Sequence, residues 1–182
     1  MKIAILGGGG REHAIAFSIS KSKKVKKIFC IPGNAGTSEI AENISLEINN
    51  FLEIYNFLAK NKIDLVVVGL EQPLVDGVVD FLENKGIKVF GPDKISSQLE
   101  GSKIFTKNIC KKYYIPTADF GVFDNVKRAK EFVNSTNHPL VIKADNLASG
   151  KGVYICQNKH ESEIAINEIF EGKFGIAKKV LI

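Results

Sequence analysis

The fold of the second half of the chain is decided by the stretch LVIKADNLASGKGV, residues 140–153. An apolar run ends in Lys143, a loop of small residues follows, and Lys151 stands between two glycines before the next apolar run at 153–156. This pattern predicts a strand–loop–strand hairpin. Its glycines let backbone N–H groups approach a ligand, and its lysines add two ammonium groups. The hairpin therefore predicts a site for a polyphosphate such as that of a nucleoside triphosphate.

The hairpin differs from the Walker A phosphate loop, because Gly150-Lys151 is followed by Gly152 rather than by Ser or Thr. A nucleotide held here would lie between β elements, as in the grasp-type ligases. A further lysine, Lys103, stands just before a helical pattern. It is either an ordinary solvated charge or a second contact to the nucleotide.

The first hundred residues alternate apolar runs with helical patterns. Strands are predicted at 2–6, 28–31, 64–69 and 88–90, and helices at 11–21, 51–61 and 73–85. Strands that are apolar on both faces and separated by helices indicate a parallel sheet with right-handed crossovers. Residues 1–101 are therefore predicted to form a doubly wound, Rossmann-like α/β domain. Ligands of such domains gather at the carboxyl ends of the strands.

The pattern changes after Gly101. Helices are predicted at 102–114, 126–133 and 160–171, strands at 119–123, 139–143 and 153–156, and a strand-like run at 178–182. Residues 102–182 are therefore predicted to form a second, partial domain. Because the last run stops in mid-pattern, we expect the chain to be the front portion of a longer protein.

Composition excludes several classes of protein. The 182 residues are 45% apolar, which is enough for a packed core, yet no run approaches the ~20 apolar residues of a membrane span. The widely spaced Cys30, Cys110 and Cys156 indicate neither a disulfide framework nor a zinc site, and favour a reducing cytoplasm. The lysine cluster at 21–27 is interpreted as a solvated helix end, because no aromatic residue interleaves with it for nucleic-acid binding.

Three glycine-containing loops follow predicted strands of the first domain, at 7–13, 32–37 and 69–74. The first, Gly7–Gly10 followed by Arg11, opens a helix whose N-terminus supplies donors for an anion. It does not fit the dinucleotide fingerprint, since Glu12 and His13 stand where glycine or alanine is required. A phosphomonoester site is therefore favoured over an NAD site, with a plain tight turn as the alternative.

The other two loops also have two interpretations each. The sequence PGNAGT at 32–37 is either a turn that uses Asn and Gly for left-handed backbone, or a wall of the same site. Glu71 stands at the mouth of a helix. It either favours the helix N-terminus by its charge or holds the hydroxyl pair of a sugar or an amine. Three such loops on one sheet edge favour a binding site more strongly than any one of them.

Six motifs occur in order along the chain: GGGGREHA at 7–14, PGNAGT at 32–37, GLEQPL at 69–74, LEGSK at 99–103, IPT at 115–117 and VIKADNLASGKGV at 141–153. Together they resemble the phosphoribosylamine–glycine ligases, also called glycinamide ribonucleotide synthetases, over essentially the whole chain. The resemblance implies a phosphoribosylamine domain at 1–101. It also implies that 102–182 are the first α+β subdomain of an ATP-grasp module.

The resemblance further implies an enzyme of de novo purine synthesis. ATP would phosphorylate the carboxylate of glycine, and the amine of 5-phosphoribosylamine would then displace phosphate to give glycinamide ribonucleotide. Mg²⁺ or Mn²⁺ would bridge the triphosphate oxygens, with its ligands expected beyond Ile182. We therefore expect no ligase activity from these 182 residues alone. We also expect small-molecule substrates without nucleic-acid or membrane partners, a monomer, and a cytoplasmic location.

Site residues follow from the resemblance by position, and no catalytic residue is assigned among them. The residues expected to contact ATP are Lys103, Lys143, Asp145, Leu147, Ala148, Ser149, Gly150, Lys151 and Gly152. Those expected to contact phosphoribosylamine are Gly9, Gly10, Arg11, Glu12, Asn34, Ala35, Gly36, Thr37, Glu71 and Pro73. The chain departs from the family pattern at Asn146, where glycine is usual, and at Leu70, where proline is frequent.

Three alternatives stay open at this point. One is another ATP-grasp ligase of the purine pathway, against which GREHA and PGNAGT argue. The second is a remnant that binds a sugar phosphate or an adenine nucleotide without catalysis. The third is a nucleotide-sugar or NAD-binding module, which the failed dinucleotide fingerprint disfavours.

Overall fold

A computed structural model shows two compact units, Met1–Ser97 and Gln98–Ile182. It describes residues 1–147, 151–175 and 177–182. The division falls slightly before the boundary predicted at residue 101. The intervening short helix belongs to the second unit, where Gln98 accepts a hydrogen bond from the backbone of Ser102 and Leu99 accepts one from the Thr106 hydroxyl. Within the described ranges, no helix combines the length and the hydropathy needed to cross a bilayer.

The first unit is a doubly wound α/β fold, as predicted. Its strands are β1 Lys2–Gly7, β2 Lys27–Pro32, β3 Glu42–Asn43, β4 Leu65–Val68 and β5 Val89–Phe90. Its helices are α1 Gly10–Ser20, α2 Phe51–Asn61, α3 Glu71–Asp76 and α4 Val78–Glu83, with a 3-10 turn at Thr37–Glu39. All strand pairs are parallel, in the spatial order β3-β2-β1-β4-β5.

Helices pack on both faces of this sheet, and successive side chains along each strand point to opposite faces. Ile5 of β1 packs in one apolar cluster with Ala16 of α1, whereas Leu6 packs in another with Leu58 of α2. Each of these four residues is fully buried. Burial of a side chain the size of leucine contributes about 1.5–3 kcal/mol, so the two clusters hold the helices on the sheet.

The predicted helix at 73–85 is wrong in its extent and continuity. The structure has two short helices, α3 and α4, which meet at Gly77. Gly77 adopts a left-handed backbone (φ +97°) and donates its N–H to the carbonyls of Pro73 and Leu74, which ends α3. Glycine adopts this conformation without a steric penalty, so the break occurs there although the apolar pattern continues.

The second unit is an α+β layer. Its helices are α5 Gln98–Gly101, α6 Lys103–Lys112, α7 Val126–Ser135 and α8 Lys159–Phe170. Its strands are β6 Val122–Phe123, β7 Leu140–Ala144, β8 Val153–Cys156 and β9 Val180–Leu181, which form an antiparallel sheet in the order β6-β9-β7-β8. The predicted hairpin is confirmed: Lys143 of β7 lies opposite Val153 of β8.

The core of the second unit lies on one face of this sheet. Ile142 and Ala144 of β7 pack against Ile166 of α8 and Val133 of α7, and all four are fully buried. The alternate residues of the hairpin face the other way, so Ile155 is 70% exposed. Lys143, two residues from the exposed Val141, is placed on this open face by the same alternation.

Candidate functional site

Three loops of the first unit leave the same edge of the sheet. In the parallel register, Gly7 at the end of β1 lies beside Pro32 at the end of β2, and Leu6 lies beside Val68 of β4. The first two loops touch, because a Cβ added to Gly8 would lie 2.6 Å from the carbonyl oxygen of Gly33. Gly8 is therefore needed for this close approach of two backbones.

Asn34 ties these two loops together. Its side-chain amide donates to the carbonyls of Gly8 (2.9 Å) and Gly9 (3.1 Å), and its side-chain oxygen accepts the Thr37 N–H (2.9 Å). Asn43 of β3 completes the link by donating to the Asn34 carbonyl and accepting from the Thr37 hydroxyl, both at 2.7 Å. The Asn34 side chain thus shapes the loops from within.

Arg11 connects the first loop to the third. Its guanidinium donates to the carbonyl of Gly69 (2.6 Å) and to the carboxylate of Glu71 (2.7 Å). The hydrogen bond from Arg11 lowers the pKa of Glu71 below its usual value. Both side chains remain partly exposed, at 60% and 38%, so this ion pair stays accessible to a ligand.

Glu12 lies beneath the loops rather than on their surface. It is 1% exposed, and its carboxylate accepts the Gly9 N–H at 2.6 Å. A Cβ at Gly7 or at Gly69 would overlap this side chain. The glycines of the first and third loops therefore make room for a buried carboxylate.

The predicted phosphoribosylamine contacts separate into two groups. The structure brings exposed or half-buried groups together at the sheet edge: Gly9, Gly10, Arg11, Asn34, Ala35, Gly36 and Glu71. Thr37 and Pro73 are buried, as is Glu12. The exposed Gly9 and Gly10 begin α1, and a helix N-terminus attracts anions through its backbone donors and dipole.

In the second unit, the start of α6 meets the end of β7. Ser102 caps α6 by accepting the Phe105 N–H at 3.0 Å, and its hydroxyl donates to the Asp145 carboxylate. Lys103 opens the helix and donates its ammonium to the carbonyl of Asn146 at 2.9 Å. Two residues that are far from the hairpin in sequence, Ser102 and Lys103, are thereby joined to it.

The charge of Lys143 acts on Lys103 here. Partial burial lowers the pKa of Lys103, the charge of Lys143 lowers it further, and the Asp145 carboxylate acts in the opposite direction. Two neighbouring cations that are partly withdrawn from water favour an anion between them. That this anion is the phosphate tail of a nucleotide stays a prediction.

The rest of the predicted ATP loop is described in part. The N–H of Ala144 donates to the Gly152 carbonyl at 2.9 Å and closes the hairpin, and Gly152 has a left-handed backbone (φ +74°). Lys151 is exposed and Leu147 is half-buried. Ala148, Ser149 and Gly150 lie outside the described residues.

Asn146, at the departure from the family pattern, makes contacts that the sequence did not reveal. Its amide donates to the Phe174 carbonyl at 2.7 Å, while its buried side-chain oxygen finds no donor among the described residues. Ser102 was also missed as a site residue, although a serine just before a helical pattern is a known capping signal. No local signal points to Phe174.

The described residues do not by themselves fit a divalent cation. Within 1–147, 151–175 and 177–182, no three His, Cys, Asp or Glu side chains cluster as metal ligands. Two acidic groups at the sites are already engaged: Glu71 with Arg11, and Asp145 with Ser102 and the Ile104 N–H.

Two family models match the chain. The phosphoribosylglycinamide synthetase N domain matches residues 1–100, and the ATP-grasp (A) domain of the same synthetase matches residues 101–182. The chain belongs to the phosphoribosylglycinamide synthetase family. The family resemblance inferred from the six motifs is thus confirmed, as is the ATP-grasp assignment of the second unit.

Individual relatives of the synthetase family agree. A phosphoribosylamine–glycine ligase of Clostridium acetobutylicum is 46% identical over 189 residues, covering 100% of this chain and 44% of that protein. The crystal structure of the Thermotoga maritima phosphoribosylamine–glycine ligase superposes with a TM-score of 0.79 at 33% identity, covering 100% of this chain and 43% of that one. The chain spans less than half the length of the curated relatives it matches.

A more distant structure shows the fold alone. The biotin carboxylase domain of the Hydrogenobacter thermophilus 2-oxoglutarate carboxylase, solved with MgADP and bicarbonate, has a TM-score of 0.76 at 22% identity. It covers 99% of this chain and 43% of its own. The fold therefore extends beyond the synthetase family.

Proposed function

We propose that this chain supplies the phosphoribosylamine loops and the first part of the ATP site of a ligase that joins glycine to 5-phosphoribosylamine. The products are glycinamide ribonucleotide, ADP and phosphate. The observation that carries the proposal is the pair of cations, Lys103 and Lys143, at the mouth of a glycine-flanked hairpin, in a chain that matches the family in both units.

The lysines act on the triphosphate. In the reaction, a glycine carboxylate oxygen attacks the γ-phosphorus, the bond to ADP breaks, and glycyl phosphate forms. Lys103 and Lys143 stabilise the charge that gathers on the phosphate oxygens, and Lys151 with the Gly152 backbone adds to this field. Half-buried Leu147 belongs to the same segment. A divalent cation, when bound, screens the triphosphate further.

The loops of the first unit bind the second substrate. The exposed start of α1 at Gly9 and Gly10 receives the 5-phosphate, and Arg11 adds a guanidinium to it. Glu71, ionised because Arg11 lowers its pKa, accepts from the ribose hydroxyls. Ala35 and Gly36 line the same edge. These groups are held in place from inside the loops by Glu12, Asn34, Thr37 and Pro73.

The amine of phosphoribosylamine completes the reaction. It attacks the acyl carbon of glycyl phosphate, the carbon–oxygen bond to phosphate breaks, and the amine loses a proton as the amide forms. Small molecules are thus the partners of this site. A reducing cytoplasm suits the protein, because Cys30 and Cys156 are buried free thiols.

The experiment is a graft. The 182 residues replace the matching part of the 46%-identical C. acetobutylicum ligase, and the chimera is assayed for glycinamide ribonucleotide with glycine, phosphoribosylamine and MgATP. We expect turnover, and we expect Lys143→Ala in the graft to reduce it at least tenfold. A folded chimera that binds MgATP without turnover would support the non-catalytic remnant instead.

A further inference from the structure

The carboxylate of Asp145 acts electrostatically on Lys103, yet its hydrogen bonds are with the first turn of α6. One oxygen accepts the Ile104 N–H at 3.0 Å, and the two oxygens lie 3.0 and 3.1 Å from the donating Ser102 hydroxyl. A carboxylate repels a triphosphate, so direct contact with ATP would be unfavourable. The resemblance suggested such a contact, and the geometry suggests another role.

We infer that Asp145 is a positioning residue that fastens the N-terminus of α6 to the end of β7 and so holds the Lys103 ammonium beside Lys143. This inference deepens the proposed function and rests on it. It names the group that places one of the two cations, which neither the family match nor the motif assigns.

Residues 145 and 146 hold Lys103 at its backbone and at its ammonium group. Ser102 and Ile104, the neighbours of Lys103 on either side, bind the Asp145 carboxylate, which fixes the Lys103 backbone at the first turn of the helix. The Lys103 ammonium donates to the Asn146 carbonyl at 2.9 Å. A four-carbon side chain that is fixed at both ends loses its rotamer freedom before a ligand arrives.

Two further contacts hold residues 145 and 146 in place. The Asp145 N–H donates to the carbonyl of Lys179, just before β9, and the Asn146 amide donates to the Phe174 carbonyl. The end of β7 is therefore attached to two other segments of the unit. A carboxylate at the start of a ten-residue helix is also favoured by the helix dipole, which helps to hold Asp145 in place.

The charge of Asp145 has a second effect on Lys103. Burial and Lys143 both disfavour the ammonium form of Lys103, and Asp145 is the largest influence in its favour. This effect depends on the charge of Asp145 and on its distance from Lys103. The titration of Lys103 therefore tests whether the Asp145 carboxylate lies beside it, and MgATP affinity tests whether that placement matters for binding.

The first test is calorimetric titration of the 182-residue chain with MgATP. We expect Asp145→Ala to weaken binding about tenfold, because Lys103 is no longer held. If Asp145 had no positioning role, Asp145→Ala should bind MgATP as tightly as wild type or more tightly, because a negative charge has been removed. Asp145→Asn keeps an acceptor for the Ile104 N–H and a partner for Ser102, so we expect it to restore affinity to within about threefold of wild type.

The matched control is Asn158→Ala. Asn158 caps α8 by accepting the Glu161 N–H at 3.0 Å, so this variant also loses a helix cap but leaves Lys103 untouched. We expect unchanged MgATP affinity. If Asp145→Ala does not fold, Ser102→Ala takes its place, because it removes the hydroxyl from the same contact without touching the end of β7.

The second test follows the ¹³C-dimethylated Lys103 by NMR as pH rises. Asp145→Asn should lower the pKa of Lys103, whereas Asn158→Ala should leave it unchanged. Unchanged titration in Asp145→Asn together with undiminished MgATP binding in Asp145→Ala would overturn the inference. If the wild-type chain does not bind MgATP but Asp145→Asn still lowers the pKa, the proposed nucleotide site fails while the placement of the Asp145 carboxylate beside Lys103 stands.

Discussion

The loops of the first unit and the hairpin of the second prepare for an anion in opposite ways. In the first unit, the side chains of Asn34 and Glu12 form hydrogen bonds with neighbouring backbone groups, and the groups that stay exposed belong to the glycine backbone. In the second unit, partial burial lowers the pKa of Lys103, and the charge of Lys143 lowers it further. The polar side chains of the loops have hydrogen-bond partners before any ligand binds, whereas the lysine pair is stabilised most when an anion binds. We therefore expect stability and affinity to respond differently to substitutions in the two units.

The largest effect is expected where the two glycine loops touch. Gly8→Ala should lower the free energy of unfolding by about 2–3 kcal/mol, because its Cβ meets the Gly33 carbonyl and the backbones must separate. Urea denaturation followed by circular dichroism measures this. Gly10→Ala is the matched control, since nothing lies within 4 Å of its Cβ and alanine favours a helix. Equal stability of the two variants would contradict the close packing of the loops.

The second effect comes from the side chain that links those loops. Asn34→Ala should lower the free energy of unfolding by about 2 kcal/mol, because the Gly8 and Gly9 carbonyls and the Thr37 N–H all lose a partner. The same urea titration applies. Asn61→Ala, which removes a single bond to the Phe57 carbonyl at the end of α2, should cost about half as much. A larger loss at Asn61 would contradict the bracing role of Asn34.

The third effect should appear in affinity rather than in stability. Lys103→Gln should weaken MgATP binding about tenfold, since a charge-assisted contact is lost, while urea stability changes little. Lys107→Gln lies on the same helix and contacts Thr117 and Ala118, so it serves as the control and should bind MgATP like wild type. Equal affinity of the two variants would remove the lysine pair from the nucleotide site.

The smallest effect concerns the exposed ion pair of Arg11 and Glu71. The folded pKa of Glu71 lies below its unfolded value of about 4.5, so its contribution is present above pH 4.5 and is lost as pH falls through the folded pKa. Glu71→Gln should therefore lower urea stability by a few tenths of a kcal/mol at pH 7. The difference from wild type should vanish in strong acid. A difference that stayed constant down to pH 2 would contradict this origin.

Much of the fold could be predicted because apolar residues mark its elements. β1, β4 and the β7–β8 hairpin lie in runs whose side chains are buried on one or both faces, which is the signal that periodicity detects. β3 could not be predicted. Its two residues, Glu42 and Asn43, are polar, and Asn43 lies where it does because it binds Asn34 and Thr37.

The positions of the candidate sites were also predictable, but the roles of their side chains were not. Each loop follows a strand, so topology alone gathers them at one edge. Whether Asp145 faces a ligand or the cap of α6 depends on Ser102, 43 residues earlier in the chain. A contact over such a separation has no local signature. Polar residues of ligand loops are therefore easily mistaken for ligand contacts when they support the loop.

The two-residue strands at the margins of the parallel sheet affect how this protein behaves at high concentration. β3 and β5 leave too few unpaired backbone groups to template a strand from another molecule. The antiparallel sheet is less protected, because its margin β8 is four residues long and exposes Val153 and Ile155. If the chain self-associates, adhesion should begin along β8, where a charged residue in place of Ile155 would act as a gatekeeper.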